Sequence, residues 1–357
     1  MTCTIGFHSL NAQILRDTTS LRLVRQAISS IYSMRFVDAE KISKKINDAY
    51  PGHPVVMLLQ GMTMYWKNYP LIATSPGRAD FENLMHNCIQ KCEKYQPEDE
   101  AEFLLATLCA RGMLLIFYSQ NDLNSKLFSL ARNSYKYLKR SFDLTQYYPD
   151  FYFFTGLYRY YREAYPEAHP IFKPLLVIFP RGDREKGMKE LQIAFEKSIF
   201  LKSEASEFLS SNYKYYENNF ARASYFSKML FETYPANMEY RADCVENLLL
   251  DGKYDEAERL LNGADYKANK YFTSIQKIFR GIIDEKKYRD MKKAFAEYSE
   301  GADEIAAYGE YGSQYAAYAY FGLSRISGYN NDHANQRSYR KKAQELTDFS
   351  EINFDKP

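Results

Sequence analysis

The feature that most limits what this chain can fold into is a spacing. Phe220-Ala221-Arg222-Ala223, Tyr254-Asp255-Glu256-Ala257 and Tyr288-Arg289-Asp290-Met291 share one local pattern, an aromatic followed three residues later by a small or apolar residue. Their aromatics stand 34 residues apart, twice in succession. Phe36-Val37-Asp38-Ala39 repeats the pattern near the N-terminus. A period of this length marks an array in which each unit is one supersecondary element. Each unit reads as a helical hairpin: the aromatic opens the second helix and packs on the first, and the alanine lets the two helices approach. A proline follows twelve residues after the alanine in two units, Pro51 after Ala39 and Pro235 after Ala223. There it ends one hairpin and starts the next, where its missing N–H costs little. Asp251-Gly252-Lys253 supplies the turn before Tyr254, with Gly252 able to take a positive φ. Asn218-Asn219 plays the same part before Phe220.

Composition narrows the class further. The chain has 33 Tyr and 24 Phe in 357 residues, and 47 Lys+Arg against 45 Asp+Glu, which excludes intrinsic disorder. Its 16 Gly and 12 Pro are too few for a turn-rich all-β chain. A net charge of +2 excludes bulk nucleic acid as the default partner. The five cysteines, Cys3, Cys88, Cys92, Cys109 and Cys244, are odd in number and sparse, unlike a disulfide framework. Fully apolar runs such as Leu175 to Phe179 fall far short of the ~18 residues of a membrane span, so no transmembrane segment is expected. The N-terminus admits two readings. Ile5 to Ala12 is either part of an arm over 1–19, which leaves the chain cytoplasmic, or the end of a secretory signal whose start lies upstream. The second reading would place the protein in the periplasm or outside the cell.

With these residues in view, the chain resembles the tetratricopeptide repeat family. The resemblance is best over 204–300, good over 20–69 and degenerate elsewhere. Gly252 to Leu261, GKYDEAERLL, is close to the family's second-helix consensus, and Gly61, Gly156 and Gly322 sit where the family favours a small residue in the first helix. The consensus tryptophan is missing; the single Trp66 falls late in a first helix. The resemblance implies an all-α, right-handed superhelical solenoid of about eight hairpins. They are expected near 20–49, 53–95, 98–147, 149–201, 204–234, 237–263, 268–301 and 303–349. A single solenoid over 20–349 and a tail over 350–357 are the expected domains. The third hairpin's Leu104, Leu105, Leu108, Met113, Leu114 and Ile116 mark a deeply buried helix. In the second, 68–76 reads as a loop. The fourth is interrupted by 164–182, whose Pro166, Pro170, Pro174 and Pro180 prevent a continuous helix. Its Ile171, Phe172, Leu175, Leu176, Val177, Ile178 and Phe179 demand burial, in a groove or over a seam between repeats. With the run Phe179 to Leu191, this stretch resembles a block in the branch that includes the fungal inclusion-body clearance protein and its animal relatives. That branch is much longer, so its lipid-droplet and mitochondrial roles are not carried over.

Candidate sites are few. Arg181-Gly182-Asp183 reads as a turn and helix cap. His86, Cys88 and Cys92 lack the second ligand pair a zinc site needs and read as core thiols, so no metal is expected. No G-x-S-x-G, G-x-x-x-x-G-K-[ST] or H-E-x-x-H occurs, and neither catalysis nor a cofactor is expected. Glu98, Asp99 and Glu100 suit a helix start. Arg132, Lys136, Lys139 and Arg140 share a helix face, and Arg337, Arg340, Lys341 and Lys342 cluster near the C-terminus; both groups read as solvated faces. The aromatics are the unusual feature. Ten of the nineteen residues from Tyr147 to Tyr165 are Tyr or Phe, among them Tyr158 and Tyr161. Tyr308, Tyr311, Tyr315 and Tyr318 form one helical stripe in the last hairpin. Such stripes are either core or a recognition surface. The resemblance implies a non-enzymatic scaffold binding a peptide or protein in a concave groove. The alternatives are an envelope carbohydrate or small-ligand binder that stacks on tyrosines, and a self-assembling module in which the last hairpin pairs with its copy to give a homo-oligomer.

Overall fold

The period resolves into pairs of helices. A computed structural model describes residues 14–15, 17–94, 100–168, 179–266 and 269–355, and among them there is no strand. The chain divides into two compact units, one formed by the residues up to 116 with 129–140, the other by 117–128 with those from 141 onward. In the first lie α1 (Thr18–Tyr32), α2 (Phe36–Ala49), α3 (Pro54–Lys67) and α4 (Arg78–Cys92). The helices α5 (Glu100–Ser119) and α6 (Asn124–Leu144) contribute residues to both units. The second unit holds α7 (Phe151–Ala168), α8 (Arg184–Lys197), α9 (Lys202–Tyr215), α10 (Phe220–Thr233) and α11 (Met238–Leu250). It continues with α12 (Tyr254–Asn262), α13 (Lys270–Ile283), α14 (Met291–Ile305), α15 (Glu310–Tyr329) and α16 (His333–Leu346). Helices adjacent in sequence pack as hairpins, and the first helices of successive hairpins also touch: α1 with α3, α11 with α13, α13 with α15.

The repeat is more regular in its backbone than in its residues. Met34, Asp122, Asn218, Gly252, Arg289 and Asn331 all have φ between 48° and 73°. Each stands two residues before a second helix begins, at α2, α6, α10, α12, α14 and α16. The next residue's N–H donates to a carbonyl five residues back at Arg35, Leu123, Lys253 and Asp332, which satisfies a helix-end acceptor. Only one of the six is glycine.

The fourth residue of the second helix is the close-approach position. Ala39, Ala223, Ala257 and Ala294 occupy it and are fully buried. Gly187 takes the same place in α8, where an added Cβ would lie 2.6 Å from Tyr160 N and 2.8 Å from Gly156 O. The backbones of α7 and α8 therefore touch, which explains the need for Gly156. Gly322 serves differently: it makes room for the fully buried Tyr298 ring of α14.

Three expectations change. Tyr288 does not open a second helix. It ends a π-helical turn, Asp284–Tyr288, that prolongs α13, and α14 starts three residues later behind the cap Asp290. The unit that carries the close-approach alanine there is Met291 to Ala294, so the second spacing is longer than 34 and the extra residues are absorbed in the widened turn. Pro166 lies inside α7, which runs on to Ala168; a proline in a last turn removes only one bond of the ladder. Pro51 and Pro235 sit in the turns just past the caps Tyr50 and Tyr234, and the next helices begin three residues later, at Pro54 and Met238. Of the apolar insertion, 169–178 lie outside the described residues, as do 1–13, which carry the signal-like stretch. The insertion's far end is tied to α7: Tyr158 OH donates to Pro180 O at 2.7 Å, and Gly182 N donates to Glu163 Oε1 at 2.7 Å.

By length and composition α5 is apolar enough to cross a membrane. Most of it is buried, with Leu104, Leu105, Leu108 and Leu114 in the core, but Met113 is half-buried and Ile116 is exposed, so the helix is not buried on every side as expected.

Candidate functional site

The chemistry-bearing side chains of the second unit gather on the first helices of its hairpins. Lys214 on α9 is almost wholly buried, and its Nζ lies 2.8 Å from Glu246 Oε2 and 3.1 Å from Asp243 Oδ1, both on α11. Ser210 Oγ and Asn247 Nδ2 donate to Asp243, each at 3.1 Å. From α15, Tyr318 OH donates to Glu246 Oε1 at 2.7 Å. Burial disfavours the Lys214 charge, but Glu246, Tyr215 and Asp243 outweigh it and hold the ammonium well above its ordinary value. In a flat row α11 and α15 would lie two helix spacings apart, roughly 16–20 Å. A direct hydrogen bond between two long side chains links these helices past the hairpin between them.

Carboxylates crowd one part of the same face. Burial and the neighbouring Glu239, Glu204 and Asp243 push the half-buried Glu207 carboxyl up to about 8. Further along, Glu285 holds Arg325 of α15 through two bonds, Nε–Oε1 at 2.6 Å and Nη2–Oε2 at 2.8 Å, and accepts from Tyr298 OH at 2.8 Å.

The end of the chain runs over this face. After α16, Phe349 sets its ring 4.8 Å from that of Tyr215 and 5.3 Å from that of Tyr216. Phe354 packs 5.1 Å from Tyr318, and Ile352, Asn353 and Phe354 are buried. Thr347 Oγ1 donates to Gln314 Oε1 at 2.5 Å. Arg325 Nη1 donates to Asn353 O at 2.5 Å and to Asp355 Oδ1 at 3.2 Å, and Arg340 reaches Asp355 Oδ2 at 3.3 Å. The segment expected to be a tail is therefore packed through Asp355.

The tyrosine stripe lies differently from a recognition surface. Tyr311, Tyr315 and Tyr318 are buried, and Tyr308 is half-buried. Tyr271 of α13 packs against Tyr308, Tyr311 and Tyr315, and its hydroxyl donates to Tyr311 O at 2.9 Å. Tyr308, Tyr311 and Tyr315 face the preceding hairpin and fill the α13/α15 seam as core, whereas Tyr318 meets Glu246 of α11 and the ring of Phe354. Tyr161 is half-buried with its hydroxyl on Asn212 Oδ1 at 2.6 Å, and Tyr158 is held by Pro180. The residues that sequence reasoning missed are Lys214, Asp243, Glu246, Glu285 and Arg325. The only local signal was Asp243 and Glu246 at i, i+3; Lys214 stands 29 residues from Asp243 and Tyr318 stands 72 residues from Glu246.

Other candidates take structural roles. Asp183 caps α8, its Oδ1 accepting from Lys186 N at 2.9 Å. Cys88 and Cys92 are buried while His86 is exposed, and the Cys92 thiol together with burial raises Cys88 well above the ordinary thiol value. Among the described residues no three His, Cys, Asp or Glu side chains converge to hold a metal ion. Of the basic faces, Arg140 pairs with Glu100, and Lys342 stands over the rings of Tyr320 and Tyr339. In the first unit a cleft of about 500 Å³ opens beside Glu40, Lys44, His53, Gln60 and Lys67. His53 there is already committed: Nδ1 accepts from Val55 N at 3.1 Å, and Nε2 lies 2.7 Å from Glu102 Oε1. No protein-family model matches this chain, and none of the curated proteins compared with it matches either.

Proposed function

We propose that this protein is a non-enzymatic scaffold of the tetratricopeptide type, its hairpins wound as a right-handed superhelix, that binds an extended peptide along the face shared by the first helices of its second unit. The observation that carries the reading is the hydrogen bond from Tyr318 to Glu246, with tyrosines and carboxylates of α7, α9, α11 and α15 engaged by residues far apart in sequence. A row of helices in which each hairpin contacts mainly its neighbours presents a long continuous surface, and side chains with an apolar body and a polar tip suit binding that must tolerate water. The test is selection from a displayed peptide library on the full chain, with amide exchange used to locate the bound peptide. Protection is expected on α9, α11 and α15. Failure to enrich any sequence, or protection confined to the second helices, would overturn the proposal.

A further inference from the structure

We propose that the segment Thr347–Asp355 is a displaceable resident of this face, and that the partner the face fits is an extended peptide with two aromatic anchors five residues apart and a carboxylate just after the second. The inference rests on the scaffold reading above and adds the ligand's chemistry and the means by which the site is kept closed.

The segment makes the contacts of a bound peptide. Its two anchors, Phe349 and Phe354, rest on tyrosines of two different first helices, α9 and α15. Between them Glu351 is exposed. The hydrogen bonds of the segment to itself are short-range turns, such as Ile352 N to Phe349 O at 2.9 Å, and it lies in neither helix nor strand. Arg325 explains the carboxylate. Its Nε and Nη2 are locked by the buried Glu285, which leaves Nη1 to present a donor to whatever lies on the face, here Asn353 O and Asp355. A guanidinium fixed on one side by a carboxylate is preorganised to recognise an acceptor on the other. Phe354 adds a reason for release. Its φ of 58° is a left-handed conformation that L side chains avoid, and it persists where the surroundings hold it. Displacement of the Phe354 ring from Tyr318 relieves that strain.

The segment follows α16 directly, so it meets the face at an effective concentration of order millimolar. A free peptide of the same sequence at micromolar concentration is then outcompeted, and only a partner with better anchors, or one present at a higher local concentration, displaces it.

The experiment uses a fluorescein-labelled peptide with the sequence of residues 346–355, titrated against three full-length proteins and read by anisotropy. They are the wild type, Phe349→Ser/Phe354→Ser, and Asp355→Lys. Removal of both anchors from the resident segment is expected to raise affinity for the added peptide by at least about tenfold, as loss of buried aromatic anchors does. Asp355→Lys should raise it less, and a scrambled peptide should bind none of the three. Equal affinity across the three proteins overturns the inference. If the double variant unfolds, Asp355→Lys decides, together with amide exchange in the wild type. Exchange of 349–355 faster than that of α15 supports a displaceable segment; exchange as slow as α15 overturns it. Library peptides that bind the wild type while the chain's own segment binds no variant would sink this inference and leave the scaffold reading standing.

Discussion

Lys214, Asp243 and Glu246 place three charges where water scarcely reaches, and such groups are tolerated only as a set. Lys214→Met should therefore cost about 3–5 kcal/mol in denaturant unfolding, because Glu246 is left buried beside Asp243 with no cation. Adding Glu246→Gln, which still accepts from Tyr318, should recover a large part of that loss; a double variant no more stable than the single one would show that the ion pair is not the reason. Glu207 gives a second test at this scale. Its folded-state value of about 8 lies above the ordinary carboxylate range, so between about 4.5 and 8 the folded state binds the proton more tightly than the unfolded chain. Stability from this group is full below about 4.5 and is lost as pH rises through about 8. The difference in melting temperature between wild type and Glu207→Gln should change with that sign across the window; a flat difference would mean that the carboxyl is not held protonated.

At the scale of the element, the turn inside each hairpin is the most regular feature. Five of the six left-handed positions carry a residue with a Cβ, and each bears the steric penalty that glycine avoids. Arg289 is exposed, so its replacement disturbs no core packing. Arg289→Gly should stabilise by about 0.5–1 kcal/mol, and Gly252→Ala should destabilise by about as much. Opposite signs in a pair of urea midpoints would confirm that the backbone, and not the side chain, sets these turns. The helices themselves were legible in the sequence for a physical reason. The aromatic at the first position and the small residue at the fourth are local demands of one hairpin, so Phe36, Phe220 and Tyr254 stand where the spacing puts them. Tyr288 misled because it obeys the local pattern while the widened turn before it changes the register.

In the second unit some contacts skip a hairpin. Tyr318 bonds to a glutamate 72 residues away, and no neighbouring helix can replace that donor. Tyr318→Phe should cost about 1–3 kcal/mol by leaving a buried carboxylate oxygen without its partner. It should also speed amide exchange in both α11 and α15, which an effect confined to α15 would not do. The aromatic stripe is decided at the same scale. Tyr311, Tyr315 and Tyr318 are equally consistent with a surface or a seam when read along one helix, and the opposing Tyr271 and Glu246 make them a seam.

The sequence by itself determined the helical class, the hairpin unit and the positions of close approach, because each is imposed by residues within about one repeat of one another. Only the tertiary structure decided where charge is buried, which tyrosines are core, and that the last residues lie across the first helices. Those outcomes depend on which side chains meet once the hairpins have packed. Lys214 meets Glu246, Arg325 meets Glu285 and Asp355, and Phe349 meets Tyr215 across separations that leave no periodic trace in the chain.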